Sequence, residues 1–159
     1  MALKRKNFSY NAEDDITHFM PTTGEAGGVV AYTSTTFTNN PDDPDNQVGY
    51  VATPVATTYP AGVLMQDVVN YDPTVTPRNE QKGPFETLQG SKVWVRTSGY
   101  VETDMVDPAV LASVVAGEDA YLAANGQLTN DNSAPSIRVG RFGSSADADG
   151  YVKFNINAK

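Results

Sequence analysis

The chain has 159 residues, no cysteine and a formal net charge of −8 at neutral pH. Without cysteine it has no disulfide framework and no thiolate metal site, and its acidity argues against nucleic acid as main partner, because phosphate binding needs clustered Lys and Arg. No apolar run is long enough to cross a membrane, and none follows the basic N-terminal residues as in a secretory signal. Frequent Val, Thr, Tyr and Phe, with Gly and Pro spread along the chain, favour an all-β domain with many turns.

The first 21 residues are predicted to form an N-terminal arm (1–21) ahead of a single β domain (22–159). No helix or strand period is sustained across the arm, which carries a basic, an aromatic and an acidic cluster in turn. It is either a frayed terminus or a segment that becomes ordered on a partner. In the second case, a chain without residues 1–20 is expected to fold but not to bind. The arm residues expected to contact the partner are Lys4, Arg5, Lys6, Phe8 and Tyr10.

Three strand regions are predicted in the first half of the chain. One or two strands lie within Glu25 to Thr38, another within Val48 to Val55, and the most apolar stretch, Gly62 to Val69, is expected to be one buried strand. Between the first two, Asn39 to Gln47 is rich in Asn, Asp and Pro. It is predicted to be a solvated loop rather than a calcium site, because its spacing fits no EF-hand.

From Asn70 to Gly90 the strand signal stops, and three prolines are spaced through the segment. A loop of this length without its own structure is uncommon in a compact domain and is usually functional or disordered. Its mixture of aromatic and polar residues suits an extended strap that lies on another subunit. Tyr71 and Phe85 are the contact residues predicted there.

The second half begins with a predicted strand, Lys92 to Met105, whose Trp94 is expected to pack in the core or an interface. A short helix is predicted to start at Asp107-Pro108 and to end at Gly117. Asn125-Gly126 then predicts a hairpin. The helix residues expected in the core, because they recur at helical spacing, are Val110, Leu111, Val114 and Val115.

The last segment, Ser136 to Ile156, predicts the hairpin that closes the domain. Strict alternation would place Ile137, Val139 and Arg141 on one face of its first strand, and Arg138, Gly140 and Phe142 on the other. In the second strand, Val152, Phe154 and Ile156 form an apolar face. Asp149 and Gly150 end the connecting loop and readily take positive φ.

Residue types that carry catalysis are sparse. The single histidine, His18, lies in the predicted arm, which argues against a histidine-based triad or metal cluster, and no nucleotide-binding glycine motif is present. Adjacent carboxylates fall in predicted turns: Asp42 with Asp43, Glu118 with Asp119, and Asp147 with Asp149. The last pair resembles half of a calcium loop, which leaves weak calcium binding open. We therefore expect a structural or binding protein, not an enzyme, with no catalytic, cofactor or metal site.

The C-terminal half resembles the small decoration, or capsid cement, proteins of tailed-phage heads. The resemblance covers Lys92 to Ile156 and rests on the order of an ascending strand, an Asn-Gly turn, a Val-Gly strand and an Asp-Gly-Tyr hairpin. Residues 1–90 carry no recognised motif. The segments that carry the resemblance are Ala116–Leu122, Asn125–Thr129, Arg138–Phe142 and Asp149–Val152.

This resemblance implies a compact β-barrel or sandwich on the outer surface of a capsid, where it clamps neighbouring major capsid subunits. It also implies a homo-oligomer, with a trimer favoured. An alternative is a carbohydrate- or receptor-binding β domain of a fibre or surface protein, which predicts that Tyr100, Tyr121 and Trp94 cluster on one face. A third is the major subunit of a shell or fibre, which purified protein would reveal by self-assembly.

Overall fold

The computed structural model describes residues 12–33, 47–70, 85–133 and 135–157. It is nearly all strand, so the predicted all-β fold class is confirmed. The strands are β1 (Glu13–Asp15), β2 (Val29–Tyr32), β3 (Val48–Gly49), β4 (Pro60–Leu64), β5 (Asp67–Val69), β6 (Glu86–Leu88), β7 (Val95–Thr103), β8 (Asp119–Leu122), β9 (Leu128–Thr129), β10 (Arg138–Phe142) and β11 (Val152–Asn157).

Nine of these strands form one antiparallel sheet that curls into a half-barrel. The order is β3-β2-β4-β7-β11-β10-β8-β9, and β1 also pairs with β7. Strand β7, with nine residues, lies at the centre of the sheet and pairs with three other strands. β1 and β4 pair with its first part, and β11 pairs with the remainder. The other two strands, β5 and β6, pair in parallel as a separate small sheet.

The inner face of the half-barrel holds two groups of buried apolar side chains. The larger lies under β7, β10 and β11 and includes Phe142, Phe154 and Leu128, each no more than 1% exposed. The smaller joins β2 and β4 to Met20, which is fully buried. Because burial of apolar surface is the main favourable term in folding, residue 20 contributes to the stability of the domain.

The closing hairpin forms as predicted, with Gly140 opposite Ile156 and Phe142 opposite Phe154. The predicted faces of its first strand are wrong at two positions, since Phe142 is buried and Arg141 is exposed on the same side as Arg138. A bulge causes this, because the pairing with β8 slips by one residue between Arg138 and Gly140. An extra residue in one strand reverses the alternation beyond it.

The Asn125-Gly126 hairpin is also confirmed, and it joins β8 to β9. The loop has three residues, Ala124–Gly126, and the N–H of Ala123 donates to the carbonyl of Gln127 across its base. Asn125 and Gly126 take positive φ, at 55° and 77°, which Asn and Gly accept more readily than other residues. Gly126 also meets the ring of Tyr50, which packs so closely that any Cβ at this position would overlap it. Tyr50 in turn donates a hydrogen bond from its hydroxyl to the carbonyl of Glu25.

The helix predicted from Asp107 to Gly117 is wrong, since only one 3₁₀ turn forms, at Leu111–Ser113. Asp107 still acts as a cap, and its Oδ1 accepts from the backbone N–H of Ala109 at 2.9 Å. Propagation fails because three of the apolar residues are β-branched valines and the segment is too short to offset the cost of nucleation. Val114 turns to extended backbone and is buried, whereas Val115 is exposed.

Three strand predictions need correction in their extent. The stretch Gly62 to Val69 is not one strand, because it breaks after Leu64 and its second part leaves the main sheet as β5. Val48 to Val55 yields only the two residues of β3. The strap Asn70 to Gly90 contains a strand, β6, which pairs with β5 of its own chain; residues 71–84 of the strap lie outside the described residues.

Candidate binding sites: the terminal junction and a pocket beside β8

The described part of the predicted arm, residues 12–21, packs on the domain. Its strand β1 pairs with β7, and the segment 18–20 continues between two other parts of the chain. There the backbone N–H of Val93 donates to His18 and that of Val48 donates to Phe19, at 2.8 and 2.9 Å. No local pattern predicts this pairing, because a charged segment without a regular apolar period has no strand signature.

A nearly buried ion pair fastens β1 to the sheet. The side chain of Arg96, on β7, is only 4% exposed, and its Nε lies 2.8 Å from Asp14 Oδ1. Its Nη2 donates to Asp14 Oδ2 at 3.2 Å, so the guanidinium holds the carboxylate with two hydrogen bonds. A fork of this kind fixes orientation as well as distance. The two residues are also direct partners in the strand pairing.

Past β1 the chain turns inward at His18, the single histidine. This side chain is buried, its Nε2 lies 3.5 Å from Asp15 Oδ2, and its ring meets the ring of Tyr32 edge-on. Asp15 itself accepts hydrogen bonds from the side chain and backbone of Thr17, each at 2.7 Å. These bonds lower the pKa of the Asp15 carboxyl, with a smaller contribution from His18. His18 is therefore a buried residue of the N-terminal segment.

Ala12 and Asn157, at the two ends of the described part of the chain, meet at the middle of β7. We call this region, with β1 and its ion pair to Arg96, the terminal junction (residues 12–15, 96–100 and 157). Ser98 is opposite Glu13 in one pairing and opposite Asn157 in another. Ala12 lies against Gly99, whose φ is +112°. The neighbouring Tyr100 is 47% exposed. A contact made by residues 1–11 would therefore be connected directly to the sheet through β1, next to the exposed side chain of Tyr100.

Of the seven predicted partner-binding residues, only Phe85 lies within the described part of the chain. It is 45% exposed, directly before β6, and its carbonyl accepts from the N–H of Asp67 at 3.0 Å. The exposure suits a contact residue. The predicted residues outside the described part are Lys4, Arg5, Lys6, Phe8, Tyr10 and Tyr71.

A pocket of about 300 Å³ opens beside β8, at the other end of the sheet. Its lining includes Tyr121 and Thr129, which are direct partners in the β8–β9 pairing. Pro54, Asp107 and Asp131 also line it. The pocket combines segments more than 70 residues apart in the chain, so no local sequence pattern announces it.

Between the terminal junction and the pocket, the outer face of the sheet carries charged side chains. Arg138 Nη2 lies 2.9 Å and Arg141 Nε lies 3.5 Å from Asp119 Oδ1. Asp119 was predicted to lie in a turn, but it is the first residue of strand β8. Tyr100 and Tyr121 share this face but stand three strand spacings apart, about 14 Å. Trp94 packs against the larger core group instead.

Within residues 12–33, 47–70, 85–133 and 135–157, no group of three or more metal-ligating side chains comes together. Asp147 Oδ1 accepts from the backbone of Asp149 and of Tyr151, at 3.0 and 2.8 Å. Its carboxylate therefore shapes the turn between β10 and β11. The calcium alternative for Asn39 to Gln47 falls outside the described residues, apart from Gln47, which is buried.

No protein-family model matches the chain, and no curated protein matches it either. No helix of the described residues is long and apolar enough to cross a membrane.

Proposed function

We propose that this chain is a structural virion protein that binds the outer surface of a phage capsid and stabilises it by clamping neighbouring major capsid subunits. The proposal rests first on the resemblance of the C-terminal half to capsid cement proteins. The observation that supports it best in the fold is the terminal junction, where β1 is fastened to β7 by the Asp14–Arg96 pair.

This attachment suits a clamp for a mechanical reason. Residues 1–11 precede a strand that is fixed to the sheet, so a contact made by Lys4 to Lys6, Phe8 or Tyr10 would transmit force directly to the domain. Eleven residues span at most about 40 Å when extended, so such contacts could lie well beyond the edge of the domain. A segment that orders on binding loses conformational entropy, so firm attachment requires several contacts and many copies.

The C-terminal segments that carry the resemblance also occupy one continuous part of the sheet. Strands β9, β8, β10 and β11 are consecutive neighbours, and the Asn-Gly turn and the closing hairpin have the expected antiparallel pairing. Phe85, which is exposed directly before β6 of the small sheet, is a further candidate contact residue. We expect the protein to act as a homo-oligomer, with a trimer favoured, at symmetry positions of the shell.

The test is co-sedimentation of purified protein with phage heads that were assembled without it. A chain lacking residues 1–11 should fold and lose binding. The deletion must end at residue 11, because residues 13–15 form β1 and Met20 is part of the core. Changing Lys4, Arg5 and Lys6 to Ser should weaken binding without changing the melting temperature.

A charge-matched control separates a specific arm from general electrostatics. Changing Lys92, Arg141 and Lys153 to Ser removes three positive charges from exposed positions of the described surface and leaves the closer Arg138–Asp119 pair in place. This variant should bind heads as the wild type does. Full occupancy of heads by the chain without residues 1–11 would refute the arm, and failure of the intact protein to bind any head would refute the proposed function. Light scattering of the free protein would test the trimer.

A further inference from the structure

The pocket beside β8 is not used by the proposed clamp, and its shape is fixed by backbone hydrogen bonds. The backbone N–H of Asn125 donates to the carbonyl of Val51 at 2.8 Å, which holds the segment before Pro54 against the β8–β9 loop. The backbone N–H of Asp107 donates to the carbonyl of Leu128 in β9, also at 2.8 Å. Because these bonds are made within the chain, a ligand need not order the pocket as it binds.

The two carboxylates of the pocket are held in place by neighbouring donors. Asp107 Oδ1 accepts from the N–H of Ala109, and Asp131 accepts from the N–H and hydroxyl of Ser133 at 2.9 and 3.0 Å. The N–H of Asp131 in turn donates to Thr129 Oγ1. An ionised carboxylate accepts about four hydrogen bonds, so both groups have capacity for donors from a ligand.

The remaining lining decides which ligand chemistry fits. The described lining residues include no Lys or Arg, and the chain is acidic overall, so an anionic ligand would be repelled. Tyr121 and Pro135, which are both half-buried lining residues, offer apolar surface in the same pocket as the acceptors. A sugar ring matches both features, because it has hydroxyl donors around its edge and an apolar C–H face.

We propose that this pocket binds one residue of a neutral saccharide. The sugar's C–H face packs on Tyr121, and its hydroxyl groups donate to Asp107 and Asp131. Such single sites are weak, and many copies on one particle would raise the overall affinity. The site is independent of the arm, so either can fail without the other.

The first experiment is a glycan array probed with labelled, intact protein, followed by ligand-observed NMR with the neutral sugars that bind. Tyr121→Ala should weaken binding about tenfold or more, since the apolar face loses its partner. Tyr121→Phe should retain it, because the ring and not the hydroxyl makes the contact. Tyr100→Ala is the matched control on the same sheet face and should bind as the wild type does.

Each other outcome counts against the site. If no neutral glycan binds, or if only amines or other cations bind, the proposal is wrong about the ligand. If binding survives in folded Tyr121→Ala protein, it is wrong about the place. Should Tyr121→Ala fail to fold, Asp107→Asn replaces one acceptor oxygen by a donor at nearly constant shape and must still weaken binding.

Discussion

The ion pair between Asp14 and Arg96 gives the sharpest prediction, because it tests whether the N-terminal segment is part of the fold. Asp14→Ala removes the carboxylate that faces a guanidinium only 4% exposed. An ion left without its partner in a buried position costs about 3–5 kcal/mol. Asp14 is itself 29% exposed, so water can reach part of the vacated space, and we expect a smaller loss of about 2–3 kcal/mol.

A loss of this size is readily measured. In a chain of this length each kcal/mol lowers the melting temperature by about 2–4 °C, so Asp14→Ala should melt about 5–10 °C lower than the wild type. Urea unfolding should show a lower midpoint with little change in slope. Glu13→Ala is the matched control, since it removes the same charge from an exposed neighbour on the same strand. It should change the free energy of unfolding by less than about 0.5 kcal/mol.

The double variant Asp14→Ala/Arg96→Met distinguishes pairing from simple packing. Removing both charges leaves no unpaired buried ion, so this variant should be more stable than the sum of the two single changes allows. If the free energy of unfolding of Asp14→Ala lies within about 0.5 kcal/mol of the wild-type value, the ion pair does not fasten β1 to the sheet.

Two further predictions concern a turn and a titrating group. Gly126→Ala should lower the free energy of unfolding by about 1–3 kcal/mol because of its positive φ, and further because the new Cβ overlaps Tyr50. Gly117→Ala is the control, since Gly117 also has a positive φ but open space around it, and it should cost less. Equal melting temperatures of the two variants would contradict the overlap. The pKa of Asp15 is lowered in the folded protein chiefly by hydrogen bonds from Thr17. The Asp15 carboxylate therefore stabilises the fold fully above the usual Asp pKa, about 3.9. This stabilisation is lost as the pH falls through the lower pKa of the folded state. Asp15→Ala should therefore differ from the wild type at pH 7 more than at pH 2.5; equal differences would refute this assignment.

Local signals predicted the hairpins well because their geometry is set by adjacent residues. Asn125 and Gly126 accept positive φ at little cost, and the alternation from Val152 to Ile156 leaves one apolar face. The predicted helix failed for a local reason too, since its valines favour extended backbone once the single turn ends. The bulge in β10 could not be read from the sequence, because it depends on how β8 pairs beside it.

The candidate sites were less accessible to sequence reasoning. Phe85 was predicted from its type and its loop, and it is exposed as a contact residue would be. The pocket was missed, because Tyr121 and Asp107 come to line it only when β9, the partner of β8, meets residues 105–107, which follow β7. The role of Asp14 was missed for the same reason, since its partner Arg96 is 82 residues away in the chain.

The sequence by itself determined the all-β class, the two C-terminal hairpins and the capping role of Asp107. These depend on side-chain periodicity and on backbone preferences of one or two residues, which act over short distances. Only the tertiary structure decided that residues 12–21 join the sheet, that Met20 is a core residue and that a pocket lies beside β8. Those features arise from contacts between distant segments, and the energy that selects them comes from burial and charge pairing that no local pattern records.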